Sequence, residues 1–251
     1  MSRDERALEA GLTDPAIPPA LATGTLEIVG LMPHSSNYTF LARASDGGTD
    51  DTGILAIYKP RGGETPLWDF PEGTLCRREV AAYVLARALG WPNVPPTVLR
   101  DGPEGIGSVQ LFVDVDPQHH YFTLERSHAD EFRKVALFDH VANNADRKAG
   151  HCLLGSDGRI WVIDHGVCFS EEPKLRTVIW EFVGEPIPAP LLDDLRRLVA
   201  ALDTGGAVPD ALRSLLEPQE LAAVRSRADA LLSAGCFPEP GPGRPYPWPP
   251  I

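Results

Sequence analysis

The first half of the chain alternates apolar and polar positions in short runs, which glycine-rich or proline-rich segments separate. Such runs predict β-strands, whereas apolar residues that recur every three or four positions predict a helix. The helical spacing covers residues 74–89, through Val80, Val84 and Leu89, and Gly90 follows as a stop signal. The predicted order is therefore three strands, one helix and two strands. The strands are expected at 25–29, 37–44, 53–59, 97–100 and 108–113.

The second half of the chain has mainly helical spacing. A helix is predicted at about 129–144, with Ser127 as its N-cap, because a serine oxygen can accept hydrogen bonds from the free N–H groups of a first turn. Two amphipathic helices are predicted near 189–202 and 218–234. The pair His119-His120 resembles a metal-binding pair only superficially, because adjacent side chains on a strand point to opposite faces. It is interpreted as surface loop.

A β-hairpin is predicted between the first two of these helices. Two short apolar runs, 152–154 and 160–163, flank the dipeptide Asp157-Gly158, which suits a two-residue turn with positive φ angles. Pairing about that turn places His151 opposite Asp164. A potential metal ligand and a carboxylate would then lie side by side at the open end of the hairpin.

Composition limits the possible functions. The chain has 251 residues, of which 43% are hydrophobic, and this is enough for a sizeable core. The formal net charge of −12 disfavours binding to nucleic acid or to an anionic lipid surface. The four cysteines are scattered without a C-x-x-C pair, and the sequence has no apolar stretch of about 18 residues. We expect a cytoplasmic protein with buried thiols and no integral membrane association.

The polar loop before the hairpin carries the candidate chemistry. Asp146 would orient and deprotonate an attacking hydroxyl, and Lys148 would offset the charge of a transferring phosphoryl group. Asp164 and His151 would hold Mg²⁺ (or Mn²⁺). Magnesium prefers oxygen ligands, so Asp164 suits it better, while His151 would bind Mn²⁺ or donate a hydrogen bond instead. Taken alone, Asp146 is more often a cap or turn residue, so the prediction depends on the joint spacing.

A lysine on a buried strand completes the pattern. Lys59 ends the apolar run 53–59, and burying an unpaired ammonium group costs several kcal/mol, so it needs an anionic partner or solvent. The phosphates of ATP and the carboxylate of Glu79, on the following helix, would supply such partners. The alternative is a solvated lysine at a strand end and a solvated glutamate on a helix.

Two segments would complete a nucleotide site. The connection between the first two strands lacks G-x-G-x-x-G, but Ser35, Ser36 and Asn37 would cover the phosphates. A plain polar loop is the alternative there. Val113 ends the last predicted strand of the first half, where the backbone would meet adenine.

The run from Phe138 to Lys148, with its Asn-x-Asp-Arg, is similar to the catalytic loop of type II phosphatidylinositol 4-kinases. With the later Asp-x-Gly, the chain resembles the atypical kinases related to phosphatidylinositol 3- and 4-kinases, including small bacterial members, and the HipA kinases. The resemblance implies Asp146 as catalytic base, Asp164 as metal ligand and Lys59 as the ATP lysine. His151 departs from the pattern, because these families carry asparagine there. The short segment after Asp164 lacks Ala-Pro-Glu, so regulation like that of eukaryotic protein kinases is not expected.

The resemblance implies an α+β, two-lobed protein-kinase-like fold, with a small antiparallel sheet and one helix in the N-lobe and a mainly helical C-lobe. The expected limits are a flexible N-terminus at 1–22, an N-lobe at 23–113, a C-lobe at 114–236 and a proline-rich tail at 237–251. Prolines exclude helix and central strand from the tail. It is either disordered or a strap packed through Tyr246 and Trp248.

Three functions stay open from the sequence. The first is an ATP-dependent phosphotransferase acting on a hydroxyl of a protein or small molecule. The absence of a basic or amphipathic membrane surface argues against a bilayer-embedded lipid as its acceptor. The second is a nucleotide-binding pseudokinase or scaffold, which is suggested by His151 and by the irregular connection between the first two strands. The third is a metal-dependent hydrolase that uses Asp146, His151, Asp164 and His165.

Overall fold

The computed structural model describes residues 7, 14–33, 37–48 and 52–251. A five-stranded antiparallel sheet forms one side of the molecule, with the strands in the order β1-β2-β3-β5-β4. Buried side chains alternate along β3, which is the pattern expected of a strand with one face on the core. The strands are Thr25–Leu31 (β1), Phe40–Ser45 (β2), Ile54–Pro60 (β3), Thr97–Gly102 (β4) and Gly105–Leu111 (β5).

A long helix packs behind this sheet. A short helix, Pro19–Thr23 (α1), precedes the sheet, and the long helix, Leu75–Leu89 (α2), connects β3 to β4. Nearly every side chain of α2 is buried, because it contacts the sheet on one side and helices of the second half on the other. It ends at Gly90, whose φ of 83° is the left-handed conformation that glycine adopts readily.

The second half is mainly helical and carries a small sheet of its own, in the order β6-β7-β8. This composition confirms the α+β class. Among the described residues, none of the helices is long and apolar enough to cross a membrane. The helices are Tyr121–Leu124 (α3), Ala129–Ala142 (α4), Ala189–Thr204 (α5), Ala207–Leu215 (α6) and Pro218–Ala234 (α7), and the strands are Val115–His120 (β6), Cys152–Gly155 (β7) and Ile160–Val162 (β8).

The register predicted for the hairpin is wrong by one residue. Cys152 pairs with Val162, and the Gly155 N–H donates to the Arg159 carbonyl at 2.9 Å, so the loop has three residues instead of two. Gly158 takes the left-handed position in that loop, with a φ of 77°. A three-residue loop with glycine at its last position is a common hairpin form, and the Asp-Gly pair alone does not distinguish it from the two-residue turn.

Replacement of Gly158 by alanine is expected to destabilise the protein by roughly 1 kcal/mol, because a Cβ atom is unfavourable at this positive φ even though no atom lies within 4 Å of it. Chemical denaturation measures the loss. Gly241→Ala is the matched control, since Gly241 also has open space around it and its φ lies outside the left-handed region. Equal stability of the two variants would contradict the assigned loop.

Two further predictions about the second half need correction, and one of its helices was missed. The N-cap of α4 is His128, not Ser127. The Ser127 hydroxyl instead donates to the Leu124 carbonyl at 3.1 Å. The pair His119-His120 belongs to strand β6 and is not a loop. Helix α6 was not predicted, because its nine residues include a proline and follow two glycines closely.

The proline-rich segment forms a strap, but not through the aromatic side chains proposed for it. Tyr246 and Trp248 are exposed, whereas Pro247 is buried. The carbonyl of Pro245 accepts from the Thr177 N–H at 3.0 Å, and that of Pro250 accepts from the Ala149 N–H at 2.8 Å. Prolines lack an N–H but keep their carbonyl, so a proline-rich segment can still dock as an acceptor.

Candidate active site

A partly buried network of charges joins the sheet, α2 and the end of the hairpin. The Lys59 ammonium, at the end of β3, contacts the Glu79 carboxylate on α2 and lies 3.0 Å from Asp164 Oδ1. The second oxygen of Glu79 accepts from the His165 N–H at 2.9 Å. Glu79 therefore bridges the lysine and the main chain that follows Asp164.

The charges in this network stabilise one another. Burial opposes the charge on Lys59, but Asp164 and Glu79 outweigh it and raise the pKa of the ammonium group. The ammonium of Lys59 lowers the pKa of Asp164, against the opposing effect of burial. Burial raises the pKa of Glu79, although Lys59 favours its ionised form. At neutral pH the lysine and Asp164 are both ionised.

Backbone conformation, more than strand pairing, brings Asp164 and His151 together. The His151 carbonyl accepts from the Ile163 N–H at 3.0 Å, so His151 is not opposite Asp164 in the hairpin. Asp164 has a φ of 61°, an uncommon left-handed conformation for a residue other than glycine. Its Oδ2 nevertheless lies 3.4 Å from His151 Nε2, with His151 at the end of a short 3₁₀ turn, Ala149–His151.

The hydrogen bonds of His151 favour one tautomer. Burial lowers the pKa of His151 to about 4, so the ring is neutral at pH 7. Its Nδ1 accepts from the Lys148 N–H at 3.4 Å, which leaves the ring proton on Nε2, facing Asp164. A metal ion at Nε2 would require that proton to move to Nδ1, against the Lys148 N–H. The arrangement supports His151 as a hydrogen-bond donor to Asp164.

The loop after α4 presents Asp146 and Lys148 beside one another. Helix α4 ends at Asn143, whose φ of 53° turns the chain, and the Asp146 N–H donates to Asn144 Oδ1 at 3.0 Å. The Lys148 ammonium lies 3.4 Å from Asp146 Oδ2. Burial raises the pKa of Asp146, which Lys148 partly opposes. A carboxylate with a raised pKa, held in a turn, suits proton acceptance.

A fully buried ion pair supports this loop and was missed in the sequence. Arg147 donates to Asp139 Oδ2 at 2.9 Å, to the Ile163 carbonyl at 2.9 Å and to His165 Nε2 at 2.8 Å. Arg147 and Asp139 are 0% exposed. These contacts tie the Asp146 loop to the residues on either side of Asp164. Asp139 lies eight positions before Arg147, and the burial of both depends on tertiary packing, so sequence spacing gave no signal for this structural role.

The charged groups lie in a cleft of about 550 Å³ between the sheet and the second half of the molecule. Asp146, Lys148, His151, Lys59, Glu79 and Asp164 all line it, together with apolar side chains. Such a combination, mostly apolar with a few convergent polar groups, is typical of a small-molecule site. The apolar part includes Ile57, Pro95, Leu111, Leu153, Trp161 and Ile163.

The remaining predicted nucleotide contacts differ in their placement. Val113 lines the cleft, and within the described part of the chain its main-chain N–H and C=O make no hydrogen bond. Asn37 lines the cleft too, but its Oδ1 accepts from the Thr65 N–H at 2.7 Å and ties the strand connection to the segment after β3. Ser35 and Ser36 lie outside the described residues.

The donor set fits a hard divalent cation better than an all-protein metal centre. Among the described residues, no three His, Cys, Asp or Glu side chains form a group that could hold a metal ion. Magnesium commonly keeps several waters and is held by one or two carboxylates plus substrate phosphates. Asp164, whose side chain is half exposed to the cleft, provides such a carboxylate.

Comparison with known structures defines the class of fold. The Golgi casein kinase crystallised with Mn/ADP bound matches 85% of this chain and 73% of its own, with a TM-score of 0.53 at 14% identity. The structure of hydra Fam20 with sugar matches 86% of each chain, with a TM-score of 0.50 at 13% identity. At these identities the matches show the fold alone, which is the protein-kinase-like fold that the sequence predicts.

Comparison of sequences defines the family. The family model for phosphatidylinositol 3- and 4-kinase matches residues 92–232. Protein Rv2133c of Mycobacterium tuberculosis is 40% identical over 264 aligned residues, covering 91% of this chain and 93% of that one. Phosphatidylinositol 4-kinase gamma 4 of Oryza sativa subsp. japonica is 35% identical over 128 residues, 43% of this chain but only 22% of the rice protein. The chain belongs to the phosphatidylinositol 3- and 4-kinase family.

Proposed function

We propose that this protein is an ATP-dependent phosphotransferase that moves the γ-phosphate to a hydroxyl of a protein or small molecule. The observation that carries the proposal is the contact of Lys59 with both Glu79 and Asp164 in a cleft that Asp146 also lines. This arrangement gathers a cation for phosphates, a carboxylate for a metal ion and a carboxylate for proton transfer. Phosphoryl transfer needs these parts and little covalent chemistry from the protein.

Each charged residue takes one role in the proposal. Lys59 binds the phosphates from the sheet side while Glu79 fixes its position. Asp164 holds the divalent cation, with His151 donating to its second oxygen or serving as a further ligand for Mn²⁺. Bound ATP would supply the phosphoryl group, and Mg²⁺ or Mn²⁺ would neutralise charge on its oxygens. Asp146 orients the acceptor hydroxyl and takes its proton, and Lys148 stabilises the charge that develops nearby.

The nucleotide base would occupy the apolar end of the same cleft. Ile57, Leu153 and Ile163 line the cleft with apolar side chains, and the main-chain groups of Val113, which bond to no described residue, are available to a base. Asn37 would approach the phosphates through its amide nitrogen, because its oxygen is bonded to Thr65. Ser35 and Ser36 are proposed beside it. The lobe limits at 23–113 and 114–236 belong to the same proposal.

Loss of the Lys59 ammonium is expected to lower ATP turnover about a hundredfold, the usual effect of removing one electrostatic donor to a reacting phosphate or oxyanion. The experiment compares the protein and Lys59→Ala in γ-labelled ATP with Mg²⁺ or Mn²⁺, and it measures phosphate release and labelling of the protein. Lys134→Ala is the matched control, because among the described residues Lys134 pairs with Glu131 alone, on the surface of α4.

The same assay distinguishes the other candidate functions. Nucleotide-dependent thermal stabilisation without turnover under either metal would indicate a pseudokinase or scaffold. Metal-dependent hydrolysis that Lys59→Ala leaves intact would indicate a hydrolase. The ring of His165 is held by Arg147 in the interior, which argues against its participation in a metal centre of that kind.

A further inference from the structure

The polar side chain of Gln110 lines the cleft together with the apolar groups proposed to contact the base. Gln110 lies on β5, which runs between β3 and β4. It pairs directly with Ile57 of β3 on one side and with Thr97 of β4 on the other. Ile57 and Gln110 both line the cleft. Gln110 is only 8% exposed, so its amide group is largely removed from water. A buried amide costs free energy unless its polar atoms are bonded.

The hydrogen bonds of Thr97 fix which way this amide points. The Thr97 hydroxyl donates its one proton to the Pro95 carbonyl at 2.7 Å. It can therefore only accept from Gln110, whose Nε2 lies 2.9 Å from Thr97 Oγ1. The amide nitrogen is held against Thr97, and Oε1 is left on the other side. Within the described residues, Oε1 makes no hydrogen bond.

We propose that Gln110 is a specificity-determining residue that selects adenine, through a hydrogen bond from the exocyclic amino group of the base to Gln110 Oε1. This inference rests on the proposed function, because it assigns the base of the nucleotide that the cleft would bind. Adenine presents a donor at position 6, whereas guanine presents a carbonyl acceptor. A guanine placed the same way would bring two acceptors together, and a buried acceptor without a donor is unfavourable.

Thr97 is the positioning residue in this arrangement. Without its hydroxyl, the Gln110 amide could rotate by 180° and present Nε2 to the base. It would then accept adenine and guanine almost equally. A purely structural glutamine, bonded to Thr97 for the sake of the sheet, would have no such effect on base preference.

The experiment measures binding of ATP, GTP and the 6-unsubstituted purine riboside triphosphate to the full chain, by calorimetry with Mg²⁺. The protein is expected to bind ATP at least tenfold more tightly than the other two. Gln110→Met, which keeps the length but removes the amide, should bring ATP to within about twofold of the unsubstituted purine. Thr97→Val should narrow the ratio of ATP to GTP at least threefold, and it tests the inference even if Gln110→Met fails to fold.

Each result supports or overturns the inference. A ratio of ATP to GTP that neither variant changes by twofold would overturn it while leaving the proposed function in place. Tight binding of GTP by the unaltered protein would also overturn it. Binding of none of the three nucleotides would overturn the proposed function, and the inference with it.

Discussion

Asp146→Asn is expected to lower phosphoryl transfer about a thousandfold, in the middle of the range for loss of a general base. Asparagine has the size of aspartate, so the turn that its N–H forms with Asn144 Oδ1 should persist. What disappears is the carboxylate proposed to accept the proton. Burial raises the pKa of Asp146, and this favours proton acceptance from a hydroxyl. The Lys148 ammonium, 3.4 Å away, would then face an uncharged amide.

The measurement follows both rate and binding. Single-turnover transfer from γ-labelled ATP should fall, while the nucleotide-dependent rise in melting temperature should change little, because the proposed phosphate and metal ligands, Lys59 and Asp164, are unaltered. Asp193→Asn is the control, since Asp193 is exposed on α5 and, within the described part of the chain, pairs with Arg196 alone. A variant that keeps more than a tenth of the rate would exclude Asp146 as the base.

Local patterns in the sequence were sufficient to predict most of the helices and strands. Helix α7 was predicted with the bounds that the structure has, and the strands of the large sheet lie within a few residues of their predicted positions. In each case the apolar spacing agrees with the burial that the element needs. The pairing of Lys59 with Glu79 could also be predicted, because a lysine on a buried strand requires an anionic partner and the next helix carries one.

Contacts that depend on tertiary packing could not be predicted from the sequence. The hairpin loop has three residues because Gly158, not the Asp-Gly pair, takes the left-handed position, and local sequence suits both forms. The approach of His151 to Asp164 depends on a 3₁₀ turn and on a positive φ at Asp164, which periodicity does not encode. In the sequence, Gln110 is indistinguishable from any other strand residue. Its proposed role in selecting the base depends on Thr97 in a neighbouring strand.

The helix that carries Glu79 is also tied to the second half by a buried ion pair. Arg78 is 2% exposed, and its guanidinium contacts the Glu220 carboxylate of α7 and the Cys168 carbonyl. The pair spans 142 positions of sequence, so no local pattern indicated it. Because Arg78 and Glu79 are neighbours in α2, this contact restrains the turn of the helix from which Glu79 reaches Lys59. A helix fixed in this way agrees with a short segment after Asp164 that has little room for an activation switch.

Glu220→Gln is expected to destabilise the protein by roughly 3 kcal/mol, because it leaves the buried Arg78 guanidinium without a counter-charge. For a chain of this length the melting temperature should fall by about 6–12 °C. Glutamine keeps an oxygen to accept from the Glu217 N–H at the start of α7, so the helix end should persist. ATP affinity should fall severalfold as well, since α2 would hold Glu79 less firmly.

Denaturant unfolding and nucleotide titration measure the two effects, with Asp229→Asn on the same helix as the control, because Asp229 is about half exposed. The double variant Arg78→Met, Glu220→Met is expected to be more stable than Glu220→Gln, since removing both charges leaves none buried and unpaired. If Glu220→Gln and Asp229→Asn lost the same small amount of stability and bound ATP equally well, the buried pair would not restrain α2. A stable Glu220→Gln variant with weakened ATP binding would instead show that the pair acts on the site and contributes little to folding.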